Sequence, residues 1–202
     1  STNQLSWIDA TETKPTVANV SQTIAPATAT TINITGTNFV SIPQVDFING
    51  STGAVTRANT VSFTSATSLS VNCTIATGNY YVRIENPDGN AGRSTNNIIT
   101  ASVAPTWTTS TGSLGSFAGN FSGTLATVAG TSDSTVAFSE TTSVLTGAGV
   151  TLNTSTGALT TTDFGASSTT PTTYNFTLRL TDAESQTADR AFSMTSSFGA
   201  TG

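Results

Sequence analysis

The run Leu69-Ser70-Val71-Asn72-Cys73-Thr74-Ile75 places every apolar side chain at an odd position and every polar one at an even position. Successive side chains on a strand point to opposite faces of a sheet, so this period of two describes a strand with one face buried and the other wet. The same period recurs in Ile32-Asn33-Ile34-Thr35, Val45-Asp46-Phe47-Ile48-Asn49, Val61-Ser62-Phe63-Thr64 and Tyr80-Tyr81-Val82-Arg83-Ile84-Glu85. Gly36, Gly50, Gly53, Gly78 and the turn sequence Asn86-Pro87-Asp88-Gly89 divide these runs. Strands spaced by roughly 8 to 12 residues and separated by such turn formers predict a sandwich or barrel. No window of useful length carries the period of about 3.6 residues that a helix requires.

A last strand of this series reads from Asn97 to Val103, and Ala104-Pro105 then marks a boundary. A second series follows: Leu125–Val128, Val136–Phe138, Val150–Leu152, Ala158–Thr160, Tyr174–Leu180 and Arg190–Thr195. The 202 residues are enough for two domains of about 100 each. The predicted organisation is an N-terminal arm over 1–14, a β-sandwich over 15–103, a second over 104–197 and a tail over 198–202.

The side-chain inventory excludes much chemistry. Serine and threonine make up 71 residues, charged residues are only 8%, histidine is absent, and the net charge is −5. Without histidine there is no Ser-His-Asp or Cys-His nucleophile and no imidazole metal ligand. The single cysteine, Cys73, leaves no internal disulfide or cysteine zinc cluster, and its parity with Leu69, Val71 and Ile75 predicts a buried thiol. Lys14, Arg57, Arg83, Arg93, Arg179 and Arg190 are scattered, so nucleic acid is not an expected partner. No stretch approaches the roughly 18 to 20 apolar residues of a membrane helix, and membrane insertion is not expected. The opening Ser1-Thr2-Asn3 is what loss of an initiator methionine leaves; a cleaved signal or an excised fragment would leave the same start.

Asn49-Gly-Ser-Thr-Gly53-Ala-Val-Thr56 and Asn153-Thr-Ser-Thr-Gly157-Ala-Leu-Thr160 match at six of eight positions. Two readings are open: a trace of domain duplication, or the same hairpin chemistry reached twice.

Residues 15–103 resemble an IPT/TIG domain, an immunoglobulin-like fold, through three segments: Pro15–Ser21, Thr31-Ile-Asn-Ile-Thr-Gly36-Thr-Asn38-Phe39, and Gly78-Asn-Tyr-Tyr-Val-Arg-Ile-Glu-Asn86-Pro-Asp-Gly89. Residues from 105 to about 196 resemble cadherin-like immunoglobulin modules. That likeness runs through Gly112-Ser-Leu-Gly115-Ser-Phe117, Leu152–Leu159 and Phe176-Thr-Leu-Arg-Leu-Thr-Asp182-Ala-Glu-Ser-Gln-Thr-Ala-Asp-Arg190. The resemblance implies an all-β chain of two tandem immunoglobulin-like β-sandwich domains. The tandem pair, with its Pro105-Thr-Trp107 junction, is similar to virion structural proteins of tailed phages, notably those of marine bacteria.

That similarity implies a non-enzymatic protein of the particle exterior, a capsid decoration or a neck or fibre component. Its partners would be virion capsid or tail proteins, or further copies of itself in a multimer. It would be assembled in the host cytoplasm and exposed on the particle surface. The alternatives are a tail-fibre or adhesin module that binds a host receptor or surface glycan, and a bacterial surface or filament subunit.

Leu5, Trp7 and Ile8 have no apolar partner in their own arm; they either cap the first domain or anchor to a neighbouring subunit, and anchoring is the expectation. Asp182, Glu184 and Asp189 lie within eight residues, and Asp133 could join them from another loop. An all-oxygen set suits calcium, which takes about six to eight ligands. The alternative is a solvated turn in which Arg190 pairs with one acid. The acid density of cadherin calcium loops is missing, so no metal and no cofactor is expected. Trp107 and Phe117 are expected as core or junction anchors, and Tyr80 and Tyr81 on opposite faces of one strand.

Overall fold

The computed structural model describes residues 13–167 and 170–197. It divides into two compact units, Ser1–Val103 and Ala104–Gly202. Each has a hydrophobic core of its own.

The first domain contains β1 (Thr16–Val17), β2 (Gln22–Ile24), β3 (Thr30–Thr37), β4 (Gln44–Asn49), β5 (Val55–Arg57), β6 (Thr60–Ser65), β7 (Ser68–Cys73), β8 (Gly78–Glu85), β9 (Ala91–Arg93) and β10 (Ile99–Ala101). One sheet runs β1-β3-β7-β6; the other runs β2-β10-β8-β4-β5, with β9 also on β8. The opening strand is divided between the sheets. β1 lies antiparallel to β3, and β2 lies parallel to β10 from Gln22↔Ile99 to Ile24↔Ala101.

The period of two explains how the sheets close on one another. Leu69, Val71 and Cys73 of β7 are fully buried, while Ser68, Ser70 and Asn72 take the other face. Opposite them, Phe47, Val82, Ile84 and Ile99 come from the second sheet. Each such large side chain removed from water contributes about 1.5–3 kcal/mol. Tyr80 and Tyr81 part as expected. Tyr80 is buried, and its hydroxyl donates to the Ala76 carbonyl at 2.8 Å, the corner hydrogen bond of immunoglobulin domains, while Tyr81 faces outward.

The second domain contains β11 (Thr106–Trp107), β12 (Gly112–Ala118), β13 (Gly123–Thr127), β14 (Gly130–Thr131), β15 (Val136–Glu140), β16 (Val150–Leu152), β17 (Ala158–Thr161), a 3-10 turn at Phe164–Ser167, β18 (Thr172–Asp182) and β19 (Thr187–Ser197). One sheet runs β12-β19-β18-β15, another β13-β17-β16, and β11 pairs with β14. The wiring repeats that of the first domain: β11 lies antiparallel to β14, just after β13, whereas β12 lies parallel to the last strand, β19. The chain is therefore all-β, two tandem immunoglobulin-like β-sandwich domains.

The core of the second domain is aromatic. Trp107 packs edge-on against Phe192 at 5.3 Å and tilts against Phe138 at 5.9 Å, and its indole Nε1–H donates to the Ala188 carbonyl at 3.0 Å. Phe117 meets Phe121 at 5.6 Å and Phe164 at 5.9 Å. Both anchors belong to this domain's own packing.

The repeated octapeptide forms one turn twice. Asn49 Oδ1 accepts from the amides of Ser51 and Thr52 at 2.9 and 3.0 Å; Asn153 Oδ1 accepts from Ser155 and Thr156 at 3.0 and 2.9 Å. Gly53 and Gly157 take φ of 73° and 72°, the left-handed conformation that glycine adopts without a Cβ penalty. The first turn joins β4 to β5, and the second joins β16 to β17 in the opposite kind of sheet. The positions are not equivalent in the shared wiring, so the echo is convergent turn chemistry.

Candidate functional site

The glycine- and asparagine-bearing segments of the first domain are joined physically. Asn86 is 2% exposed, and its Nδ2 donates to the Asn38 carbonyl at 2.8 Å while its Oδ1 accepts from the Val40 amide at 3.0 Å. Asn86 thereby ties the loop after β3 to the end of β8. Asn38 sits at φ 60°, which asparagine tolerates better than most residues, and beside it Phe39 enters the core.

The outer face of the β5-β4-β8-β9 layer gathers charge. Cross-strand register sets Arg57, Asp46, Arg83 and Arg93 in one row, and Val55, Ile48 and Tyr81 in the next. Asp46 is only 6% exposed and lies between Arg57 at 3.6 Å and Arg83 at 3.3 Å, while Gln44 donates to it at 2.9 Å. Arg83 also bonds Glu85; that hydrogen bond, with the Asp46 charge, holds its guanidinium still more firmly protonated. Arg93 lies over the Tyr81 ring at 4.2 Å. Parity within the β4 and β8 runs places Asp46 and Arg83 outward. Their meeting depends on strand register, which the sequence does not display.

The other sheet's outer face is uncharged. Register aligns Thr31 with Asn72 and Thr60, and Asn33 with Ser70 and Ser62. Asn72 donates to Thr31 at 3.0 Å, Ser68 donates to Asn33 at 2.9 Å, and Asn59 bonds both Asn72 and Thr74 at 2.9 Å. In the second domain a depression of about 390 Å³ is lined by hydroxyls and an amide, among them Thr142, Asn175 and Ser193, and by Phe176, Ala191 and Phe192.

Among the acids singled out from the sequence, the structure brings Asp182 and Glu184 together with Asp133, their carboxylate oxygens within 4.8 Å of one another. It leaves Asp189 apart. Asp189 accepts a two-pronged bond from Arg179 at 2.7 and 2.8 Å, which holds its carboxyl below the usual aspartate range. Arg190 does not pair with an acid of this turn; it donates to the Thr109 carbonyl at 2.6 Å. Asp182 orders the β18–β19 turn by accepting from the Gln186 amide at 2.7 Å and the Gln186 side chain at 3.1 Å. Glu184 accepts from Ser134 at 2.6 Å.

Cys73 is wholly buried, and burial pushes its thiol pKa up. Leu5, Trp7 and Ile8 lie outside the described residues.

No family model and no curated protein matches the chain. Cadherin fragments are among the solved structures that align with it. Protocadherin Gamma B7 extracellular cadherin domains 1–4 align at 12% identity and TM-score 0.41, covering 92% of this chain and 51% of that one. Drosophila N-cadherin EC1–4 aligns at 10% identity and TM-score 0.41, covering 91% and 50%. Human CDH23 EC21–23 aligns at 15% identity and TM-score 0.41, covering 90% and 69%. The chain spans about half the length of the first two. The strand wiring of each domain, with β2 on β10 and β12 on β19, defines the immunoglobulin-like fold.

Proposed function

We propose that this chain is a non-enzymatic structural protein that acts by protein–protein attachment, on the exterior of a tailed-phage particle as a capsid decoration or a neck or fibre component. The observation that carries attachment is the chemistry of one outer face of the first domain, where Ser, Thr and Asn of β3, β7 and β6 stand in register and spread donors and acceptors over three strands. Such a face offers many weak hydrogen bonds, and repetition of the partner on a particle multiplies them. The Asp182 turn, the Glu140 contacts to Val144 and Leu145, and the Arg179–Asp189 pair all serve loops and strands of the fold itself. The virion setting, and the reading of the two domains as IPT/TIG and cadherin-like modules, rest on the motif resemblance. A glycan-binding role calls for outward aromatics near the loops. The ring–ring pairs of the described residues lie in or against the second core; of the outward aromatics, Tyr81 is stacked under Arg93 and Phe63 stands on β6 at 36% exposure.

In this reading Leu5, Trp7 and Ile8 anchor the arm to a neighbouring subunit. The test is imaging of intact particles at subunit resolution, with the full chain and with residues 1–12 deleted. The expected result is density for two sandwiches on the particle surface and its loss, with both domains still folded, on deletion. Particles without such density would refute the virion role; unchanged attachment of the shortened chain would refute the role of the arm.

A further inference from the structure

We propose that the outer face of the β5-β4-β8-β9 layer in the first domain docks the second domain of another copy of this chain, joining copies head to tail. The inference rests on the attachment reading above and names one partner. Three of the chain's five arginines stand on this face, on three different strands. Asp46 and Glu85 engage Arg83. The side chain of Arg57 is 67% exposed with one carboxylate at 3.6 Å, and Arg93 is exposed over Tyr81, so both project cationic heads outward. The adjoining row supplies apolar area: Val55 is 61% exposed, and Ile48 and Tyr81 are half-buried. Arginine and tyrosine beside aliphatic surface is the composition that protein interfaces favour.

Charge complementarity identifies the occupant. Residues 1–103 carry four cations against five carboxylates, whereas residues 104–202 carry six carboxylates against two arginines. Both of those arginines are engaged within their own domain, Arg179 by Asp189 and Arg190 by the Thr109 carbonyl. A face rich in arginine on one domain and an acidic surplus on the other attract unlike ends of two copies. Like ends gain no such attraction, because face against face sets arginine against arginine. The resulting contact is heterologous, so it propagates or closes into a ring. The charges set register and association rate, and the Val55-Ile48-Tyr81 row supplies buried area.

The test is sedimentation of the purified full-length chain at about 0.01 M and about 1 M salt, where the screening length falls from about 30 Å to about 3 Å. The expected result is concentration-dependent assembly at low salt that disappears at high salt. The double variant Arg57→Glu/Arg93→Glu should weaken association at least about tenfold with an unchanged far-ultraviolet spectrum. Val55→Glu, on the apolar row, should do the same by a separate route. A blocked variant keeps an intact second domain, so mixing it with the unmodified chain should shorten the assemblies by capping them. A chain that stays monomeric at both salts overturns the proposal, as does association that neither variant changes. Assemblies that the variant fails to shorten overturn the head-to-tail arrangement. None of these outcomes touches particle attachment, which the imaging experiment reads separately.

Discussion

Substituting alanine at Gly53 and at Gly157 compares one turn in two surroundings. The two glycines have φ within a degree of each other, and an asparagine caps each turn, Asn49 the first and Asn153 the second. Around Gly53 nothing lies within 4 Å of an added Cβ. Gly53→Ala should therefore show only the backbone cost of a left-handed L-residue, about 1–2 kcal/mol. At Gly157 the added Cβ would stand 2.2 Å from the Val128 carbonyl oxygen and 3.1 Å from the Phe138 ring. The Val128 amide already bonds the Gly157 carbonyl at 3.0 Å, so the turn cannot move away without breaking its tie to the end of β13. Overpacking of this kind adds about 1–3 kcal/mol, for a total of about 2–5 kcal/mol. The chain supplies a reporter for each domain. With Trp7 replaced by Phe, Trp107 is the sole indole and follows the second domain through a urea transition, while the buried Cys73 thiol becomes open to alkylation only as the first domain opens. Equal losses for Gly53→Ala and Gly157→Ala would refute the steric argument, as would a Gly157→Ala effect confined to thiol exposure.

Three further outcomes follow from described contacts. Asn86→Ala leaves the Val40 amide and the Asn38 carbonyl without their partner and should destabilise the first domain by about 2–3 kcal/mol, seen as faster Cys73 labelling and an unshifted Trp107 transition. Trp107→Phe keeps the aromatic packing but removes the donor to the Ala188 carbonyl; a loss of about 1–2 kcal/mol is expected, measured by the near-ultraviolet dichroism of the second domain during unfolding. Asp189 titrates below the ordinary aspartate value of 3.8 because of Arg179, so its folded value lies under its unfolded one. The pair's contribution is therefore present above that ordinary value and is lost as pH falls through the lower folded value. Since the pair is exposed, the effect is small, and Asp189→Asn should flatten this part of the acid limb of the urea midpoint without altering its shape near neutrality.

How much of this could be read in advance depends on whether a strand's two faces meet different surroundings. β7, β8, β18 and β19 each bury one face and wet the other, so their side chains alternate and the period is visible. β12 contains Gly112 and Gly115 and buries neither face fully, so it has no alternation to display. β1, β2, β5, β9, β11 and β14 are two or three residues long, too short to define a period, and they exist because neighbouring strands supply the ladder. Pairings between distant segments were similarly hidden: Asp46 reads as one more outward polar residue until register sets Arg57 and Arg83 on either side. The Arg179–Asp189 pair was nearer to hand. Arg179 and Asp189 each lie five residues from Glu184, the centre of the β18–β19 hairpin, and placing that centre directs Asp189 to arginine and away from the calcium set.

The parallel pairing of each domain's entering strand with its last strand has a mechanical consequence. A pull on the two ends of the first domain drags β2 and β10 along their axes in opposite senses, so the ladder from Gln22↔Ile99 to Ile24↔Ala101 is loaded in shear all at once and is not unzipped rung by rung. The second domain is clamped the same way by β12 on β19, over the longer stretch from Gly112↔Phe192 to Ala118↔Ser197. Under tension the chain behaves as two shear clamps of unequal length in series, and the first sandwich should yield before the second.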